Sequence, residues 1–291
     1  MATKQSIYGQ SIILNEKSVN EYVIVGTMSS GKSTFINSII GFELFPSKIS
    51  ACTAKNFSYY GNPDINYFLF LNNTIKKPVQ REKLVMSQIE KWNQDQRIAE
   101  IIIEGPVITH KENGFAIIDT PGPNNSMTKS HEETMKKALS KSYHSIIYVL
   151  NATQLGVDDD RNLLHFVREQ VGLKKIIFIV NKADMIDDTE QENLYNFSEN
   201  VTNYLKNNGF EKPSIYFVSS IAAMLAMKIQ SKTALTRKES STYWRLEETL
   251  KKNLAQYNIN EKKPSFENTK SASLNNEVWN NSGIQSIINL L

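Results

Sequence analysis

Eight consecutive residues, Gly26-Thr27-Met28-Ser29-Ser30-Gly31-Lys32-Ser33, carry the strongest chemical signal in the chain. They follow the apolar run Tyr22 to Val25 and lead into a segment with Phe35, Ile36, Ile39 and Ile40 at helical spacing. That strand–loop–helix setting is what a phosphate cradle requires. Glycines let the backbone wrap closely around phosphate oxygens, a helix N-terminus favours negative charge, and a lysine reaches the terminal phosphates. Gly26, Ser29, Ser30, Gly31, Lys32, Ser33 and Thr34 are the candidate contacts, with Ser33 a ligand for magnesium. The competing reading is a glycine-rich turn with no ligand.

Four further elements fall in an order that suits a nucleotide site. Asn181-Lys182-Ala183-Asp184 ends the apolar run Ile176 to Val180, and open α/β sheets bind ligands at the C-terminal ends of their strands. A carboxylate at Asp184 can accept from the ring N–H and the amino group of guanine, a donor pair that adenine lacks. Asn181 and the Lys182 stem would brace the base. Asp119-Thr120-Pro121-Gly122 ends another strand-like run, placing Asp119 behind a metal-bound water and the Gly122 amide where a γ-phosphate can be sensed. An Asp-initiated turn is the bland alternative there. Thr53, within Ser47 to Ala54, is the natural second hydroxyl on magnesium, with Thr34, Ser50 and Thr120 nearby in sequence as alternatives. Ser219 and Ser220 close the last clear strand; their amides could contact the guanine carbonyl, or the pair could simply cap a helix.

The elements that must position these groups read as βαβ units. Strand-like runs are Tyr22–Val25, Phe57–Tyr60, Ile65–Leu71, Ile98–Ile103, Phe115–Ile118, Ile146–Leu150, Ile176–Val180 and Ile215–Val218. Helical faces include Met135, Leu139 and Tyr143, then Leu163, Val167 and Val171. Uninterrupted apolar strands suit a mostly parallel sheet covered on both faces, so the expected fold class is α/β, a three-layer P-loop NTPase sandwich. Residues 57–107 break the alternation and are expected to be an enlarged insertion between the Thr53 and Asp119 motifs. Ile259 to Ser282, rich in Asn, Ser, Lys and Glu, reads as a mobile loop before a final helix over Gly283–Leu291.

Composition narrows the function classes. Of 291 residues, 33 are Lys or Arg and 30 Asp or Glu, a formal charge of +3 too small and too dispersed for a dedicated nucleic-acid binder. One cysteine, Cys52, excludes an internal disulfide, and no secretion signal is visible, so a cytoplasmic protein is expected. The longest apolar runs fall far short of the roughly 20 residues that a spanning helix needs, which leaves peripheral membrane association. The four histidines lack metal-ligand spacing, and Asp158-Asp159-Asp160 reads as a helix start favoured by the dipole.

The motifs in this order resemble the GTPase set of the dynamin superfamily, from Tyr22 to about Met227. Val25-Gly26-Thr27-Met28, Asp119-Thr120-Pro121-Gly122-Pro123-Asn124, Thr153-Gln154-Leu155, and Val218-Ser219-Ser220 with Leu225-Ala226 resemble the bacterial dynamin-like proteins, the clamp-binding, replication-fork-associated kind above all. The resemblance implies one GTPase domain over residues 1–291, with a core at about 20–230 and C-terminal helices over 231–291 around the polar loop at about 259–282. It implies GTP hydrolysis with Mg2+, nucleotide-dependent homodimerisation, a monovalent cation for charge compensation with Ser29 contributing, and peripheral membrane or replication-associated partners. Lys32, Thr53 and Ser29 are the implied catalytic residues. A GTP-operated scaffold with negligible hydrolysis is the alternative. The sequence departs from eukaryotic dynamins at Met28, where they carry a glutamine that helps place the attacking water, and from Ras-like GTPases at Pro123.

Overall fold

The computed structural model describes residues 11–13, 15–45, 56–72, 76–79, 89, 91–92, 95, 97–98, 100–107, 114–120, 129–140, 143–171, 176–186, 193–259 and 276–291. The chain divides into two units, residues 1–25 with 48–146 and residues 26–47 with 147–291.

In the first unit the strands are β1 (Asn20–Gly26, whose last residue opens the second unit), β2 (Asn56–Gly61), β3 (Phe68–Asn72), β4 (Lys76–Val79), β5 (Glu100–Gly105) and β6 (Phe115–Asp119). They lie in the order β4-β3-β5-β2-β6-β1. β1 and β6 run parallel, as do β2 and β5, while β2–β6, β3–β5 and β3–β4 are antiparallel. Every antiparallel pairing involves β2, β3 or β4, so the expected insertion adds strands beside β6. The core parallel pattern is kept, and the α/β expectation with it. Helix α2 (Lys129–Ser140) buries Met135 and Leu139. Tyr143, placed on the same face by its spacing, lies past the helix end.

Local chemistry accounts for two shifts from the sequence reading. The strand expected from Ile65 starts only at Phe68, because Asn62-Pro63-Asp64 makes a turn in which Asp64 N–H donates to Asn62 Oδ1 at 2.9 Å. β4, unforeseen because it contains Pro78, is the edge strand, where a missing N–H costs least. The fully buried Glu104 of β5 accepts from Ser11 Oγ, Ile12 N, Ile13 N and Asn62 Nδ2, at 2.6 to 3.2 Å. A buried carboxylate is tolerable only when so satisfied, and here it ties the start of the chain to the sheet. Of the helical segment expected around Leu84 to Trp92, Ile89 and residues 91–92 are helical, and residues 80–88 lie outside the described residues.

In the second unit, helix α1 (Lys32–Ile40) follows the glycine-rich loop. Strands β7 (Ser145–Asn151, its first two residues belonging to the first unit), β8 (Ile176–Asn181) and β9 (Ser214–Val218) lie in that order, with β8 and β9 parallel. Every residue of β7 and β8 is buried, as expected of strands covered on both faces. Around them are α3 (Asp158–Val171), α4 (Leu194–Asn207), α5 (Ser220–Gln230), α6 (Arg237–Thr249), α7 (Glu277–Asn281) and α8 (Ile284–Leu290). The alanine-rich α5 packs against α1 with Ala222, Ala223 and Ala226 buried. α3 begins at Asp158 as its acids suggested, but Asp160 is buried and accepts from the hydroxyls of Tyr148 and Tyr204 at 2.9 and 2.7 Å.

The loop expected over 259–282 is wrong at both ends. Ile259 bridges antiparallel to Ile215, exchanging both backbone hydrogen bonds at 2.7 and 2.9 Å. At the other end α7 buries Val278 and Trp279, capped by Asn276. Two large apolar residues in a polar stretch suffice to dock one helical turn. Residues 260–275 lie outside the described residues.

Candidate functional site

The phosphate-type loop is shaped by what its carbonyls and glycines meet. Asn151, the last residue of β7, donates from Nδ2 to Ser29 O at 3.1 Å, and Lys182 Nζ donates to the same oxygen at 2.8 Å. Asn181 Nδ2 donates to Ser30 O at 2.9 Å. With both carbonyls drawn toward the strand ends, planar peptides fix the orientation of the amides that follow. Gly31 sits at φ +82, and an added Cβ would lie 2.5 Å from Asn181 Nδ2; one on Gly26 would lie 2.7 Å from both Ser30 Oγ and Val149 O. Both positions therefore demand glycine.

Helix α1 opens with no acidic side chain in its first turn and no side-chain cap. Its positive end is thus not neutralised by the helix itself, and Lys32, Ser33 and Thr34 stand in that first turn, each half-buried. Ser29 is exposed. Ser30 departs from the sequence reading: its Oγ and N–H both turn back to Thr27 O, at 2.9 and 3.2 Å, so its polar groups hold the loop's own turn.

At the end of β8, Asn181 is buried and bonded on all sides. Besides Ser30, its Oδ1 accepts from Ser220 N and Ser220 Oγ at 3.1 and 2.8 Å. It thus links loop, strand and helix α5, where the sequence had suggested contact with a base. Lys182 adopts a left-handed conformation, φ 63, uncommon for a residue with a Cβ. Burial lowers its ammonium pKa, partly offset by the charge of Asp184. The 3-10 turn Ala183–Met185 then presents Asp184, whose side chain is 2% exposed. Its Oδ1 has no hydrogen-bond partner among the described residues, while Oδ2 lies 3.6 Å from Arg245 Nη2 of α6. A buried carboxylate oxygen without a donor is costly, and a ligand N–H would relieve it.

Ser219 and Ser220 are corrected in part. Ser219 N–H donates to Ser282 O at 2.8 Å, and its Oγ caps α5 by accepting from Ala222 N. Ser220 N–H and hydroxyl are spent on Asn181. Neither amide is available to a base carbonyl, so the helix-cap reading holds for Ser219.

In the first unit, Asp119 closes β6 in register with Ile24 of β1, and Thr120 donates from N and Oγ1 to Ile24 O at 3.3 and 2.8 Å. Thr53 and Gly122 lie outside the described residues, as does Cys52. Among the described residues no group of three or more His, Cys, Asp or Glu could hold a metal. A magnesium held by hydroxyls and phosphate oxygens needs no such cluster.

Two contributors escaped the sequence reading. Asn151 ends a buried strand, and its position there was the available sign. Arg245 stands on the polar face of a helix remote in sequence from Asp184, where no motif marks it.

Residues 23–183, more than half of the chain, match the Dynamin family. The chain belongs to that family. This dynamin-family chain carries the family's GTPase domain, with the α/β fold of P-loop NTPases. It is 26% identical over 187 residues to an uncharacterised protein in the xynA 3' region of Caldicellulosiruptor sp. (strain Rt8B.4), covering 64% of this chain and 46% of that protein. It is 25% identical over 187 residues to the bacterial dynamin-like protein of Nostoc punctiforme, covering 60% and 26%. The chain thus spans less than half the length of these curated relatives. Among solved structures, it is similar to a member of an oligomerised bacterial dynamin pair described as sensing and tethering membranes over long range, at TM-score 0.51 and 18% identity, covering 85% of this chain and 40% of that one. That likeness concerns the fold. Among the described residues no helix is long and apolar enough to cross a membrane.

Proposed function

We propose that this chain binds GTP and hydrolyses it to GDP and phosphate. The unpartnered, buried Oδ1 of Asp184 carries the reading. It stands at the C-terminal end of a parallel strand whose Asn181, with Lys182 just beyond it, holds the phosphate-type loop, so base and phosphate contacts are joined by two hydrogen bonds, Asn181 Nδ2 to Ser30 O and Lys182 Nζ to Ser29 O. Guanine offers the N1–H and 2-amino donors that such a carboxylate takes.

In this reading Gly26, Ser29, Gly31, Lys32, Ser33 and Thr34 hold the phosphates, Lys32 offsets charge on the β- and γ-phosphates, and the Gly122 amide reports the γ-phosphate. The hydroxyls of Ser33 and Thr53 would hold Mg2+, with Asp119 behind them. When bound, Mg2+ supplies neutralisation of the phosphate charge that builds during transfer. Phosphoryl transfer needs chiefly positioning and charge stabilisation. Met28, 53% exposed, has no group to hold the attacking water, so Thr53 or a second copy of the chain does so. Homodimerisation across the nucleotide, with Ser29 helping to hold a monovalent cation, completes the site; assembly is what the bacterial dynamin pair suggests. Peripheral association with a membrane, or with a replication-associated protein, would follow the GTP-bound state in a cytoplasmic setting.

Turnover tests this. Phosphate release per chain should rise with protein concentration, and Lys32→Ala should abolish it together with tight GTP binding; wild-type affinity in that variant would contradict the loop assignment. The same Met28 supports a second reading, a GTP-operated scaffold with negligible hydrolysis. Intact GTP after hours in a single-turnover assay would favour it.

A further inference from the structure

We propose that the exposed face of α6, centred on Trp244, docks an acidic segment of a partner protein that carries an apolar side chain beside its carboxylates. Trp92 and Trp279 are half-buried and buried, whereas Trp244 is 59% exposed. Its neighbour Tyr243 is buried and meets the indole edge-on, with ring centroids 5.7 Å apart. The indole is therefore supported from one side and left open on the other.

Helical spacing sets cations around it. Arg237 lies two turns before Trp244, and Lys238 two turns before Arg245, so the four side chains form two adjacent rows on the solvent side. All four are exposed. Among the described residues Arg237 and Lys238 meet no carboxylate at ion-pair distance, and Arg245 meets Asp184 alone, at 3.6 Å. A guanidinium has five N–H donors, so Arg245 can serve a second carboxylate.

Helix stability does not account for these choices. The first turn of a helix favours acids, yet Arg237 and Lys238 occupy it. Its acid, Glu239, is engaged by the cap and by Lys228. An indole left in water also forgoes the gain of burial. Tryptophan and arginine are, in contrast, the residues on which binding energy concentrates at protein interfaces.

The same chemistry selects the occupant. Three cations require carboxylates, and the indole requires an apolar side chain that excludes water from them. A broad anionic surface such as a bilayer fits less well, because Glu248, exposed one turn beyond Trp244, would face it with like charge. Arg245 also stands beside Asp184, whose side chain is 2% exposed, where a single carboxylate can follow and a flat membrane cannot.

The test selects random peptides displayed on phage against the full chain, then measures fluorescein-labelled copies by anisotropy. Recovered peptides should be rich in Asp and Glu next to Leu, Phe or Trp. Trp244→Ala should weaken them by about 30-fold or more, the level of an interface hot spot. Arg245→Ala should weaken them by about tenfold, the low end for a lost charge-assisted bond. Lys212→Ala, which removes an exposed cation just before β9, should leave them unchanged. Recovery of peptides without acids, or binding indifferent to Trp244→Ala, overturns the proposal. Phosphatidylserine vesicles that bind wild type and release Trp244→Ala also overturn it, making the face a membrane contact. A dimer in sedimentation velocity that Trp244→Ala dissolves overturns it as well, making the face a contact between copies. The replaced side chains are exposed, so the variants should fold, and a thermal scan checks this; Arg245→Ala decides the question if Trp244→Ala does not fold.

Discussion

Replacing Asn181 by alanine removes one side chain that bonds three groups. The Ser30 carbonyl loses its 2.9 Å donor, and Ser220 N–H and Oγ lose their common acceptor at 3.1 and 2.8 Å. Asn181 is 2% exposed, so water cannot easily replace these partners. The serine hydroxyl can rotate to another acceptor, whereas the backbone N–H and carbonyl are fixed. With about 1 to 1.5 kcal/mol for each of those two groups left unsatisfied, the expected loss is about 2 to 3 kcal/mol. Urea unfolding of wild type, Asn181→Ala, Ser220→Ala and the double variant measures it. Because Ser220 Oγ and Asn181 Oδ1 touch, the cycle should show a coupling of about 0.5 to 1.5 kcal/mol. A single-variant loss below about 0.5 kcal/mol, with the two changes strictly additive, would refute the claim that Asn181 pins loop, strand and helix together.

Other consequences are open to measurement. Gly31→Ala places a Cβ 2.5 Å from Asn181 Nδ2 at a left-handed position. Conformation alone should cost about 1 to 2 kcal/mol in urea unfolding, and nucleotide affinity should fall with it; an unchanged midpoint contradicts the cradle. Hydrogen bonds from Lys228 and from Thr236 hold the Glu239 carboxylate at about 2, against an ordinary 4.5. Because that pKa is depressed in the fold, its stabilisation is full above pH 4.5 and is lost as the pH falls toward 2. The gap in melting temperature between wild type and Glu239→Gln should therefore narrow across that window, and a gap independent of pH would contradict the cap. Trp279→Ala should destabilise the chain by about 3 to 5 kcal/mol, as for a buried aromatic; a loss near zero would return α7 to the loop that composition suggested.

The site was legible in the sequence where local backbone geometry imposes residue type. Gly26 and Gly31 are required by close approach and by φ, and Asn181, Lys182 and Asp184 fall within four residues, so a short window reveals them. The roles of Ser30, Ser219 and Ser220 were not legible. Whether a serine amide faces a ligand or a neighbouring carbonyl depends on tertiary partners, here Thr27, Ser282 and Asn181. Arg245 reaches Asp184 only through the docking of α6, which leaves no periodic trace. In the fold, uninterrupted apolar strands such as β7 and β8 were evident, while β4 was hidden by Pro78 and α7 by the asparagines and serines around Trp279. The insertion's β2, β3 and β5 were visible as apolar runs, but the antiparallel pairing of β2 with β6 was not, since pairing partners are chosen by long-range register.

The most direct measurement is calorimetric titration of the full chain and of Asp184→Asn with GTP, ATP and XTP, in which a 2-carbonyl replaces the 2-amino group of guanine. Wild type should bind GTP well ahead of ATP and XTP. Asp184→Asn, whose amide can donate to the 2-carbonyl, should lose GTP and gain XTP. Equal heats for GTP and ATP in wild type, or an Asp184→Asn variant that still prefers GTP, would contradict the assignment of Asp184 to the base.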